Sequence, residues 1–310
     1  MQIKKINKFK IKLPAKGAFT IDTEDGFPKL HTLMIASALR GSGKSVATAN
    51  FIRECKAKNY FDRVYLITPT YASNKMIWDI ADIQEEDIYE PTVTVLKTIQ
   101  ENVENEKKEY DEYLEKKAKY KQFKKDQQKN RFMRIDPETL LYYYDNNFFL
   151  EEEPKWKYKD DSHPPRLCVI LDDCMGSDLL ARRTAGLTNF CIKHRHIGDG
   201  LGISVIMLVQ SYCAQGGVAR PIRENTTHLM LFKINDENQL KKIKEECDLP
   251  VTDEEFTEMC KTAHDIPHNF LFIEFAKKCN KKMFRSGFNN YFLPASLENV
   301  RCDCKDCKKV

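Results

Sequence analysis

Long apolar runs are missing from this 310-residue chain. The longest are strand-sized, such as Cys168-Val169-Ile170-Leu171 and Phe270-Leu271-Phe272-Ile273, far below the roughly 18 residues of a spanning helix. No transmembrane segment is expected. The first residues, MQIKKINKFKIKLPAK, lack the continuous apolar region of a secretory signal, because lysine or a polar residue interrupts them throughout. Secretion by that route is not expected either. A disulfide framework is lacking too: eleven cysteines are an odd number, and Cys55, Cys168, Cys191 and Cys260 fall inside apparent strands or helices. That usage favours a reducing compartment. Nor is there a large excess of one charge, since 50 Lys+Arg against 46 Asp+Glu leave +4. A nucleic-acid surface, if present, must therefore be a local patch. Internal repeats and low-complexity tracts are also absent. What remains, 42% apolar and 31% charged, is a globular composition long enough for two domains or one large α/β domain with insertions.

Strand-like runs recur at His31–Ser37, Arg63–Thr68, Leu167–Leu171, Ile203–Val209, His228–Phe232 and Asn269–Phe275, with helical patterns between several of them. This alternation predicts an α/β fold, a mostly parallel central sheet with helices on its faces. From Glu101 to Arg134 there are 8 acidic and 11 basic residues and no Gly or Pro. That stretch predicts a charged helical insertion, either one helix or a helical hairpin. The polar, proline-rich segment Glu151–Pro165 predicts a surface loop leading back to the sheet.

Chemistry concentrates after the first strand. Ala38-Leu39-Arg40-Gly41-Ser42-Gly43-Lys44-Ser45 follows HTLMIAS and precedes a helical pattern that opens with Val46, the strand, loop and helix context of a phosphate-binding P-loop. Gly41 and Gly43 allow the backbone to curl so that N–H groups of Arg40 to Val46 and the helix N-terminus face phosphates. Lys44 is placed to reach the β- and γ-phosphates, and Ser45 to offer its hydroxyl to Mg²⁺. Ala38 stands where the usual pattern has its first glycine. A second strand, LCVIL, ends in Asp172-Asp173. Neighbouring side chains diverge as a strand ends, so Asp172 is expected to hold the hydrated Mg²⁺ and Asp173 to orient or deprotonate an attacking water. A third, GISVIMLV, ends at Gln210, whose amide both donates and accepts and suits a γ-phosphate sensor. Arg195, in KHRH, is a candidate arginine finger for a neighbouring subunit, with Arg220 and Arg223 as rivals.

Taken in order, LRGSGKS, RVYLITPT, LCVILDDC, KHRH, GISVIMLVQSY and RPIRENTTHLMLF resemble the FtsK/HerA superfamily of ring-forming DNA-pumping ATPases. Within it the chain looks like the genome-packaging ATPases of poxviruses, other large DNA viruses and their small relatives. The likeness covers roughly Leu30 to Phe275. The Asp-Asp pair is similar to the packaging branch, where cellular translocases usually carry Asp-Glu. The resemblance implies a RecA-like P-loop NTPase domain over 30–290 with a helical insertion at about 101–150, after a basic arm at 1–29 and before a tail at 291–310. It implies ATP and Mg²⁺ as cofactors and carries the roles above onto Lys44, Ser45, Asp172, Asp173, Gln210 and Arg195, the last more weakly because IGDGLG lengthens its spacing. The implied partners are double-stranded DNA, further copies in a ring, a hexamer by the resemblance, and capsid or portal vertex proteins. The implied location is the host cytoplasm or nucleus, or the virion. Lys193, Arg182, Arg183 and the lysines of the insertion are candidate DNA-backbone contacts. A cellular or plasmid DNA motor, or a P-loop assembly subunit without turnover, is the alternative.

The last cluster is Cys302, Cys304 and Cys307. With Cys279 or a histidine as fourth ligand, this C-x-C-x₂-C spacing suits Zn²⁺, and a free-thiol tail is the competing reading.

Overall fold

Six apolar runs of the sequence become neighbours in one sheet, and their order in that sheet decides what meets at its edges. The computed structural model describes residues 27–300 except 130, 151, 175, 178, 180–184, 214–216, 235 and 276–279. In chain order the elements are β1 (Leu33–Ser37), α1 (Lys44–Ala57), β2 (Arg63–Ile67), α2 (Tyr71–Trp78), β3 (Ile88–Tyr89), α3 (Val95–Gln128), α4 (Pro137–Asp145), β4 (Leu167–Asp172), α5 (Ala185–Lys193), β5 (Ser204–Val209), α6 (Arg220–Glu224), β6 (His228–Leu231), α7 (Glu237–Cys247), α8 (Asp253–His264), β7 (Leu271–Glu274), β8 (Phe284–Ser286), β9 (Asn290–Tyr291) and α9 (Ala295–Glu298).

Among the described residues nine strands form one sheet in the order β3-β2-β4-β5-β1-β6-β7-β8-β9. Pairing is parallel from β3 to β6 and antiparallel from β6 through β9. The expected strands agree with the observed ones to within two residues at each end. The short β3, β8 and β9 carry no pattern of their own, since two or three residues cannot display a period of two.

Near-continuous apolar strands mark a sheet covered on both faces. Leu33, Ile35, Val169, Leu171, Val205 and Met207 face one core, capped by the start of α3 and by α5 and α8. The alternate residues Met34, Ala36, Cys168, Ile170, Ile206 and Leu208 face the other, under α1 and Trp78. All the buried positions along β1, β4 and β5 follow this two-residue period.

The charged stretch is one helix rather than a hairpin. The 34 residues of α3 extend about 51 Å at ~1.5 Å per residue. Leu96, Ile99, Val103, Glu106, Tyr110, Tyr113, Tyr120 and Phe123 form a buried stripe at mostly three- and four-residue spacing. The opposite face carries Lys97–Glu101, Lys107–Asp111, Lys108–Glu112 and Lys119–Glu115 pairs one turn apart, weak and solvent-screened contacts that favour the helical state. Glu106 ties the helix to the sheet, accepting from Arg63 of β2 at 2.9 Å, Lys157 at 2.8 Å and Tyr158 at 2.8 Å. Further out, Trp156 packs on Tyr110 and Tyr113, so the polar return segment braces the helix. At the far end Tyr120 and Phe123 form a small aromatic core with Tyr143 of α4 and Phe148.

The antiparallel half is pinned by charge. Glu274 of β7 and Arg285 of β8 form an ion pair with both side chains fully buried, and Arg285 sits 5.1 Å from the Phe272 ring centre and 5.0 Å from that of Tyr291. Removing Arg285 takes the guanidinium from Glu274 in a dry interior, where the His228 ring stands 3.6 Å from the carboxylate. Arg285→Met is expected to lower unfolding free energy by about 3–5 kcal/mol, and adding Glu274→Leu to recover most of it. Denaturant unfolding of the three variants checks this; an additive double variant contradicts it.

Candidate nucleotide site

In an open parallel sheet, groups that act together gather outside the carboxyl ends of the strands. Here β5 lies between β1 and β4, with Ser37 paired to Val209 and Asp172 to Leu208. The loop after β1, Gln210 after β5 and the two aspartates ending β4 therefore emerge side by side.

The loop starts tightly. Ala38 is fully buried and its N–H donates to Val209 O at 3.0 Å, extending the β1–β5 ladder by one residue. Ser42 closes a turn, its hydroxyl donating to Leu39 O at 2.7 Å. Gly43 has φ +91°, and a Cβ there would lie 3.2 Å from Cβ of His268, so glycine is required on both conformational and steric grounds. Helix α1 then begins at Lys44 with no side-chain cap and no acidic residue in its first turn. Its first N–H groups and the positive end of its dipole are left to an anion. By contrast α8 carries a complete capping box, Thr252 with Glu255.

The two aspartates part company at the end of β4. Asp172 is buried, and its Oδ1 accepts from the Ser45 hydroxyl at 3.2 Å. Its Oδ2 has no hydrogen-bond partner; the Trp78 indole N–H approaches from α2 without good geometry. Burial pushes its pKa above the ordinary carboxylate value, against the opposing pull of Lys44 and Ser45, while the neighbouring Asp173 raises it further. Asp173 leaves the strand at φ +53°, a conformation uncommon for non-glycine residues and frequent at functional sites. That turn carries its carboxylate out of the core, where Oδ1 accepts from Gln210 Nε2 at 2.9 Å.

Together these groups line one open cavity of about 920 Å³, within the range of nucleotide-sized pockets. Every residue from Arg40 to Val46 lines it, as do Asp172, Asp173 and Gln210. The sequence reading missed other lining residues, Thr70, Ser73 and Asn74 at the start of α2 and His268 before β7. The signal for the α2 group was available, because Thr70 lies two residues beyond the carboxyl end of a predicted strand. His268 had no such signal: β7 runs antiparallel, so its beginning, rather than its end, lies at this edge.

The candidate arginines stand apart. Arg195 does not line the cavity; it follows His194, whose carbonyl accepts from Ile203 N at 2.9 Å beside the start of β5, which is the opposite edge of the sheet. Arg223 is engaged by Glu246 through two 2.8 Å bonds. Arg220 is exposed and paired with Glu224 at 2.8 Å. Lys193 ends α5 and shares a surface cleft with Lys107. Arg182, Arg183, Cys279, Cys302, Cys304, Cys307 and residues 1–26 of the basic arm at 1–29 lie outside the described residues. Among the described residues no cluster of three or more His, Cys, Asp or Glu could hold a metal ion, and no helix is long and apolar enough to cross a membrane.

No protein-family model and no curated protein matches this chain. Among solved structures it is similar to EssC (ATPases 2 and 3) from Geobacillus thermodenitrificans, at 14% identity and a TM-score of 0.43, over 86% of this chain and 40% of that one. It therefore spans less than half of the EssC chain. It is also similar to the genome packaging NTPase B204 from Sulfolobus turreted icosahedral virus 2 in complex with ATP-gammaS, at 10% identity and a TM-score of 0.41, over 78% of this chain and 91% of that one. A third likeness is to the pCW3 conjugation coupling protein TcpA, at 15% identity and a TM-score of 0.39, over 85% and 65%. The chemistry of the site rests on its own residues.

Because burial raises the Asp172 pKa, the stability this group contributes is complete below the ordinary carboxylate pKa and is lost as pH rises through the raised value. Asp172→Asn removes the ionisation and keeps the shape. In metal- and nucleotide-free protein it should raise the thermal midpoint at neutral pH, with the gain fading toward about pH 4. Thermal unfolding across that pH range checks this; a lower midpoint at neutral pH would mean that the surroundings favour the charge.

Proposed function

We propose that this chain binds ATP with Mg²⁺ at the α1 N-terminus, hydrolyses it, and uses the turnover to move double-stranded DNA, as the viral genome-packaging ATPases it resembles do. The observation that carries the ATPase reading is the meeting of Lys44, Ser45, Asp172, Asp173 and Gln210 around one cavity. The ordered motif set from LRGSGKS to RPIRENTTHLMLF supports the DNA-moving task.

Backbone N–H groups of the loop and α1 cradle phosphate oxygens, and the Lys44 ammonium adds charge there. Ser45 and Asp172 fit a hydrated Mg²⁺: the Asp172 carboxylate is buried, one oxygen is shared with the Ser45 hydroxyl and the other lacks a partner. The ion, when bound, neutralises charge on the phosphates. Gln210 Nε2 holds Asp173 Oδ1 and so aims the carboxylate, leaving Oδ2 to accept a proton from the attacking water. Simple nucleotide binding would need neither Asp173 nor Gln210, which weighs against an assembly subunit without turnover.

The site is open, and large apolar side chains on its lining segments, Leu39, Val46, Met76 and Ile266, are exposed. This rim fits coverage by a further copy of the chain in a hexameric ring docked on a capsid or portal vertex protein. Arg195, on the far edge of its own sheet, would in such a ring serve only a neighbour's site.

Steady-state ATP hydrolysis with and without long linear duplex DNA, at low and moderate salt, tests the proposal. DNA should stimulate turnover in a length-dependent, salt-sensitive way. Lys44→Ala should abolish it, and Asp173→Asn should keep nucleotide binding while losing about 10²–10⁴-fold in rate. Turnover indifferent to DNA would remove the motor reading, and normal turnover of Lys44→Ala the site itself.

A further inference from the structure

The loop before β7 places His268 over the phosphate-binding turn. It lines the nucleotide cavity, and its Nδ1 lies 3.3 Å from the carbonyl oxygen of Ser42. Its ring atoms would lie 3.3–3.4 Å from a Cβ at Gly43, so ring and loop are in direct contact. Its backbone is left-handed at φ +61°, and the next residue pins that turn: Asn269 Nδ2 donates to Ala263 O at 2.9 Å and to Ser286 Oγ at 2.8 Å. The position is thus fixed from α8 and β8, two elements that contribute nothing else to the cavity lining.

The hydrogen bond assigns the hydrogen of Nδ1. A carbonyl oxygen can only accept, so Nδ1 carries the hydrogen, and in the neutral ring Nε2 is then an acceptor. Phosphate oxygens, also acceptors, are poor partners for it. Donors on the nucleoside suit it, either the exocyclic amino group of adenine or a ribose hydroxyl.

Resting on the ATP-site reading above, we propose that His268 is a specificity-determining residue that accepts a hydrogen bond from the nucleoside part of the nucleotide through Nε2. His268→Asn is the informative variant. Asparagine tolerates the left-handed backbone, and its amide can keep the bond to Ser42 O, while nothing replaces Nε2. Binding of ATP, 2′-deoxyATP, GTP and inorganic tripolyphosphate to wild type, His268→Asn and Lys44→Ala, measured by titration calorimetry, tests the proposal. His268→Asn should bind ATP about 5- to 10-fold more weakly and tripolyphosphate as wild type does. If GTP is spared, the donor is the adenine amino group; if GTP weakens like ATP and 2′-deoxyATP is spared, it is the ribose hydroxyl. Unchanged ATP affinity, or equal weakening of tripolyphosphate, overturns the role of His268 and leaves the P-loop site standing. Wild-type protein that binds none of the four, like Lys44→Ala, overturns the ATP-site reading itself.

Discussion

A carboxylate held inside the sheet governs the carboxyl edge of this protein. Asp172 ends a strand whose six residues are all buried, and the interior resists its charge. What offsets that resistance stands on the next segments: the Ser45 hydroxyl on one oxygen and the Lys44 ammonium nearby. Both belong to α1, whose opening turn offers further uncompensated positive character. The negative group and the positive end of the helix come from distant parts of the chain, and the sheet order makes them neighbours. In such a site each charge depends on the others, and none of them is set by its own strand or helix alone.

Asp173 takes the opposite course from Asp172, one residue later. Leaving the strand with a left-handed backbone costs on the order of 1–3 kcal/mol, and the carboxylate gains solvent and the Gln210 amide in return. Two adjacent acids are thereby given different surroundings, one dry and one wet, by a single step along the sequence.

Much of this was legible in the sequence because it depends on local patterns. A parallel strand buried on both faces writes itself as an apolar run, and a residue just beyond such a run sits at the carboxyl edge; Asp172, Asp173, Gln210 and the GSGKS loop were found this way. Two kinds of information were hidden. Strand direction leaves no mark in composition, so the antiparallel entry of β7 that brings His268 to the loop was invisible. Partners across long sequence distances were hidden too. Glu106 reads as one more charge in a charged stretch, and Arg223 as a rival candidate for an arginine finger, until Arg63, Lys157 and Glu246 are seen beside them. The helix-or-hairpin ambiguity had the same origin, since the buried stripe of α3 is half aromatic and includes a carboxylate.

The geometry of α3 also has mechanical meaning. Between Glu106, where it is fastened to β2, and its end at Gln128 the helix extends about 33 Å. β2 lies directly against β4, the strand that ends in Asp172. A rotation of one degree about the fastening displaces the tip by roughly 0.6 Å over that length. A one-degree tilt shared by the helix and the return segment that braces it would thus be enlarged, by leverage alone, to over half an ångström at the aromatic end of the arm.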